Sequence, residues 1–100
     1  MKGLKMSQAT QVRASHILVQ SKELAEQLRN EILEGKSFDD VAKANSMCPS
    51  GSSGGDLGFF GKGMMVKEFE TAAFNLNKNE VSEPIQTQFG WHLIKVTGIK

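Results

Sequence analysis

The patterned part of this chain begins and ends in an extended segment, so whatever lies between must return the two ends to one core. Ala14-Ser15-His16-Ile17-Leu18-Val19 and Gly90-Trp91-His92-Leu93-Ile94-Lys95-Val96 both read as β-strands. Successive strand side chains point to opposite faces, which puts His16 with Ala14 and Leu18, and His92 with Gly90, Ile94 and Val96. These are the chain's two histidines. Imidazoles on mostly apolar faces need polar partners. Pairing of the terminal strands would let the two rings converge with the single cysteine, Cys48, and with the loop Pro49-Ser50-Gly51-Ser52-Ser53-Gly54-Gly55-Asp56-Leu57-Gly58.

The totals narrow the classes. One hundred residues suffice for one core and leave no room for a cofactor domain. Twelve Lys and Arg against eleven acids, without an Arg-rich stripe, give no basis for holding nucleic acid. Apolar runs are too short for membrane insertion, and Met1 to Thr10 lacks the apolar stretch of a secretory signal. A single cysteine cannot form an internal disulfide and fits a reducing compartment. The expectation is a soluble, cytoplasmic monomer, with an exported or organellar parent protein left open.

Residues 1–11 are polar and aperiodic and read as a flexible leader; the domain is expected over 12–100. After the first strand, Ser21 is placed to cap a helix whose apolar positions Leu24, Ala25, Leu28, Ile32 and Leu33 recur at helical spacing, with Gly35 as its stop. Ser37 with Asp40 marks a second, short helix that buries Phe38, Val41 and Ala42 and ends near Ser46. From Met47 to Gly58, Gly and Ser dominate and regular structure is not expected. Phe59-Phe60-Gly61 makes a brief strand. Phe69, Ala72, Ala73 and Leu76 predict a third helix starting near Val66 to Glu68 and broken from Asn75. Pro84 restricts Val81 to Thr87 to an irregular or edge strand, and Gln88-Phe89-Gly90 turns into the final one. The result is an α+β domain with helices packed on an antiparallel sheet.

Several separated blocks, in order, carry a resemblance. They are Ser15-His16-Ile17-Leu18-Val19; Phe38, Val41, Ala42 and Ser46 leading to Cys48 and Gly54-Gly55-Asp56-Leu57-Gly58; Gly63-Met64-Met65 with Phe69; and Thr87-Gln88-Phe89-Gly90-Trp91-His92. From about Val12 to Val96 the chain resembles the parvulin-type peptidyl-prolyl cis/trans isomerases. The resemblance implies the parvulin-like arrangement of the FKBP-like superfold, a four-stranded antiparallel sheet with helices packed around it. It implies a catalytic set of His16, Cys48, Thr87 and His92, and a proline pocket lined by Leu57, Met65, Phe69 and Phe89. It also implies isomerisation of X-Pro bonds in unfolded or flexible proteins, with proline-containing peptides as partners and no cofactor or metal. Phosphate-directed members carry basic residues after the first strand, where this chain has Gln20-Ser21-Lys22-Glu23. They often place an acid before the cysteine and a Ser where Met47 and Phe89 stand here. The chain is therefore expected to be a single-domain, non-phospho-specific member that prefers uncharged residues before proline.

The X-Pro amide rotates over a barrier near ~20 kcal/mol because its resonance must be broken. A dry pocket complementary to the twisted amide lowers that barrier without a covalent intermediate. Phe69, Met65 and Leu57 suit the pocket, and the histidines with Thr87 would orient its floor. Cys48 reads either as a nucleophile or as a polarisable neighbour, and the second is the expected role. Other classes compete. A non-catalytic proline-peptide-binding or chaperone module would use the same groove without turnover. A Cys-His hydrolase lacks any signature around Cys48. A zinc site lacks short ligand spacing, and the glycines do not spell a phosphate loop. Without the resemblance, both histidines, Phe69 and Met65 read as ordinary core residues.

Overall fold

The structure is a computed structural model and describes residues 9–100. The order is β1 (Gln11–Val19), α1 (Lys22–Leu33), α2 (Phe38–Asn45), a 3₁₀ turn (Pro49–Ser53), β2 (Asp56–Gly61), α3 (Lys67–Phe74), β3 (Ile85–Thr87) and β4 (Gly90–Ile99). The strands form one sheet in the order β2-β1-β4-β3, every pair antiparallel. The first and last strands are thus central neighbours, paired from Val12 opposite Ile99 to Val19 opposite Trp91 with a one-residue register shift between Arg13 and Ala14.

Alternation along these strands builds two apolar layers. On one face Val12, Ala14, Ile94 and Val96 pack with Phe60 and with Phe69, Ala73 and Phe74 of α3. On the other, Ile17, Val19 and Leu93 pack with Ala25 and Leu28 of α1 and Phe38, Val41 and Ala42 of α2. Each fully buried Val, Leu or Ile stabilises the fold by about 1.5–3 kcal/mol relative to exposure. The helix starts follow the sequence: the Leu24 N–H donates to Ser21 Oγ, and the Asp40 N–H to Ser37 Oγ.

Four local expectations change. Leu33, placed on the inward face of α1, is 59% exposed. Five residues beyond Leu28, it sits about 140° round the helix and misses the sheet. β2 starts at Asp56 inside the Gly-rich stretch, because β1 supplies a template of backbone donors and acceptors. Its pairing jumps from Arg13 opposite Phe59 to Ser15 opposite Asp56, a bulge that absorbs the extra residue. Leu76 lies beyond α3, although its side chain still joins the core. Most of the expected leader lies outside the described residues. Of its last three residues, Ala9 is buried, the Thr10 N–H donates to Lys100 O at 2.8 Å, and Gln11 opens β1. At the far end, β3 is the edge strand that Pro84 allows.

Candidate active site

The register of β1 on β4 sets His16 opposite Ile94 and His92 opposite Leu18, so the imidazoles are diagonal neighbours on the α3 face. Their Nδ1 atoms are 3.0 Å apart, and the rings lie 18° from parallel with centroids 5.2 Å apart. One Nδ1 must therefore carry a proton that the other accepts. Thr87, across the β3–β4 hairpin, places Oγ1 2.7 Å from His92 Nε2 and accepts the Phe89 N–H. Phe69 stands edge-on to both imidazoles, with centroids 5.5 Å and 5.4 Å away. Burial holds the His16 pKa down at about 4, with the neighbouring His92 adding to the effect, and burial lowers His92 as well. Both rings are accordingly neutral near pH 7. His16 Nε2 is buried without a hydrogen-bond partner.

Above the rings opens a cleft of about 460 Å³, lined by His16, Leu18, Met47, Cys48, Pro49, Leu57, Met64, Met65, Val66, Phe69, Phe89 and His92. None of these side chains carries a charge at neutral pH. The cleft has the size and apolar character of a small-ligand site.

Backbone ties hold its walls. Leu18 and Cys48 both donate their N–H to Ser46 Oγ, and the Met47 N–H donates to Leu18 O. These bonds fix the Cys48 loop to the end of β1. The thiol is half-buried, with Ser50 Oγ donating to its sulfur at 3.3 Å. On the other side the His16 N–H donates to Gly55 O. A Cβ at position 55 would lie 2.2 Å from His16 O, and the φ of +86° favours glycine independently. Asp56 then anchors the start of β2, which carries Leu57. Its Oδ1 accepts the Gly58 N–H, and Arg13 donates through Nε and Nη2 at 3.1 Å and 2.6 Å. The hydrogen bond from Arg13 lowers the Asp56 pKa.

Of the residues singled out in the sequence, His16, Cys48, Leu57, Met65, Phe69, Phe89 and His92 meet in the cleft, and Thr87 supports His92 from behind. Phe69 is both core and wall: it is 3% exposed and still borders the opening. Leu18, Met47, Pro49, Met64 and Val66 were not assigned to the pocket. Leu18 was accessible from its alternation with His16, and Met64 from its place beside Met65. Met47 and Val66 lie on irregular backbone and Pro49 opens the short 3₁₀ turn, where no periodicity exists to read. Among the described residues no three His, Cys, Asp or Glu side chains come together as a metal-ion set.

Comparison with known proteins places this geometry. The family model "Rotamase: PPIC-type PPIASE domain" matches residues 6–98. Foldase protein PrsA 1 of Bacillus cereus is 51% identical over 100 residues, covering 99% of this chain and 35% of that protein. The chain thus spans about a third of the length of the curated relatives it matches. The crystal structure of the peptidylprolyl isomerase PrsA from Bacillus anthracis superimposes with a TM-score of 0.90 at 42% identity, over 92% of this chain and 43% of that one. The solution structure of NmPin, the parvulin of Nitrosopumilus maritimus, does so with a TM-score of 0.82 at 44% identity, over 90% and 98%. The likeness therefore extends over nearly the whole of a small parvulin and over the matching portion of larger foldases. With its four-stranded antiparallel sheet and paired histidines beneath an apolar cleft, this chain belongs to the parvulin family of peptidyl-prolyl cis/trans isomerases.

Proposed function

We propose that the chain accelerates cis/trans isomerisation of X-Pro bonds in unfolded or flexible protein segments, and so assists folding. The observation that carries this reading is the uncharged cleft over Phe69, floored by two neutral imidazoles. Phe69, Leu57 and Met65 enclose the pyrrolidine ring, while Met65 adjusts to different neighbours. As the amide twists, its carbonyl oxygen loses charge and its nitrogen gains a lone pair. An apolar enclosure favours that less polar state over the planar amide. His16 and His92 hold each other, and Thr87 acts as the positioning residue for His92. They orient the floor and transfer no proton. Cys48 serves as a polarisable neighbour and not as a nucleophile.

The lining also bears on the residue before proline. A phosphate would find no cation in the cleft wall, and carrying two charges into an apolar site is costly. Uncharged residues are the preferred neighbours. A free Cys48 thiol suits a cytoplasmic setting, and nothing in the mechanism depends on it. No helix among the described residues is long and apolar enough to cross a membrane.

The test is exchange spectroscopy on short peptides that differ only in the residue before proline. Faster cis-to-trans exchange, greatest for uncharged residues and least for phosphoserine, is the expected result. Exchange at the uncatalysed rate would reject the isomerase. If peptide signals then shifted without faster exchange, the chain would be a proline-peptide-binding module.

A further inference from the structure

Three of the cleft-lining side chains, Met64, Met65 and Val66, come from the irregular segment between β2 and α3. Such a wall has no ladder or helix to hold it, and Met64 is 69% exposed. Its ends are held by the Glu70 N–H donating to Val66 O at 3.0 Å and by Lys62 Nζ lying 5.5 Å from the Phe74 ring centroid, and hydrogen bonds from Gly61 and Gly63 restrain the stretch between. The Gly61 N–H donates to the Met64 sulfur at 3.3 Å, a weak contact. The Gly63 N–H donates to Glu70 Oε1 at 2.6 Å, a short bond to a charged acceptor and the stronger of the two.

The position of Glu70 gives that bond a consequence for the cleft. Glu70 follows Phe69 on α3, so the element that supplies the aromatic wall also grips the methionine segment facing it. Val66 at the start of α3 makes no side-chain cap, so Glu70 reaches back beyond the helix end and takes up a backbone donor of the segment. We infer that Glu70 is a positioning residue: by tethering Gly63 it holds Met64 and Met65 at a set distance from Phe69 and so determines how tightly the cleft grips the residue flanking proline. The inference rests on the isomerase reading of the cleft. Loss of the tether leaves every lining side chain present but adds the ordering of the backbone at 63–65 to the cost of binding. Met64 and Met65 meet the proline ring and its flanking residue, which keep their place while the amide rotates, so disorder of this wall weakens both states and is read mainly in KM.

The experiment compares the unaltered chain with Glu70→Ala and Glu70→Gln, using a peptide of sequence Ala-Leu-Pro-Phe. It reads KM and kcat, the peptide Kd by NMR titration, the Gly63 amide proton shift and the thermal midpoint. Glu70→Ala is expected to raise KM and Kd about three- to tenfold, with kcat within about twofold, and to move the Gly63 amide upfield. Glu70→Gln keeps an acceptor and is expected to restore KM and Kd to within about twofold of the unaltered chain. The inference is overturned if the Gly63 amide moves while KM and Kd stay unchanged, or if kcat falls in step with the thermal midpoint, as a purely structural role would produce. Should the unaltered chain bind the peptide without turning it over, the isomerase reading fails, while the Kd comparison still decides the role of Glu70.

Discussion

At the residue scale the paired imidazoles make the sharpest predictions. The folded pKa of His16 is about 4, below its ordinary 6.5, and that of His92 is lowered too, so the unfolded chain binds protons more readily than the folded one. The His16 contribution to stability is complete above about pH 6.5 and is lost as pH falls toward 4, and His92 acts in the same direction. The loss from His16 is on the order of 3 kcal/mol. Urea unfolding at stepped pH should show this slope, and His16→Leu should flatten it. Activity should hold constant from pH 7 to 9, because neutral rings that only orient do not titrate there; a bell-shaped profile in that window would mark proton transfer. Phe69→Leu nearly conserves volume, so about 1–2 kcal/mol of stability should be lost. The flat wall goes with the ring, and kcat/KM should fall about tenfold. Cys48→Ser should keep most of the activity, and a loss as deep as that from Phe69→Leu would restore the nucleophile. At this scale the sequence marked residues that meet in the cleft and was silent about their contacts. Alternation put each histidine on an apolar face, but the Nδ1 to Nδ1 contact depends on an inter-strand register that no local pattern encodes.

At the scale of elements, local chemistry and tertiary templating divide the chain. The helices were legible because Ser21 and Ser37 cap them and their apolar positions recur at helical spacing. The Gly- and Ser-rich stretch was not, since the first residues of β2 are extended through pairing with β1 despite a composition that disfavours strands. Gly55 shows the dependence most directly. Its backbone lies against His16, so Gly55→Ala should cost about 2–4 kcal/mol through overlap and a left-handed φ. Because β1 must shift to relieve that overlap, activity should fall further than stability accounts for. Denaturation and peptide turnover, measured on the same sample, separate the two losses. By contrast, Arg13→Ala removes a solvent-screened pair and should leave the denaturation midpoint nearly unchanged.

At the scale of the molecule, the controlling fact is that β1 and β4 are neighbours in the middle of the sheet. The Thr10 N–H donates to Lys100 O, and the Lys100 N–H to Gln11 O, so the two ends of the described chain lie side by side. A circular permutant that joins Lys100 to Ala9 through a short glycine-rich turn, with new ends in the exposed turn at Gly35 and Lys36, should therefore fold and keep its turnover. A permutant that stays unfolded by circular dichroism would contradict the central pairing. Removal of β4 should abolish folding, because it takes away Leu93, Ile94 and Val96 from both apolar layers along with His92.

Side-chain alternation, helix caps, apolar periodicity and the ordered blocks around His16, Cys48, Leu57, Phe69 and His92 by themselves determined the class of fold, the helix positions and part of the set of side chains that meet in the cleft. Those signals span a few residues each and are written in local chemistry. The strand order, the bulge opposite Arg13, the extension of β2, the hydrogen bond between the two imidazoles and the Glu70 tether were decided only by the tertiary structure. Each depends on backbone groups far apart in sequence finding one another, and such partners become defined only when the two apolar layers close on the sheet.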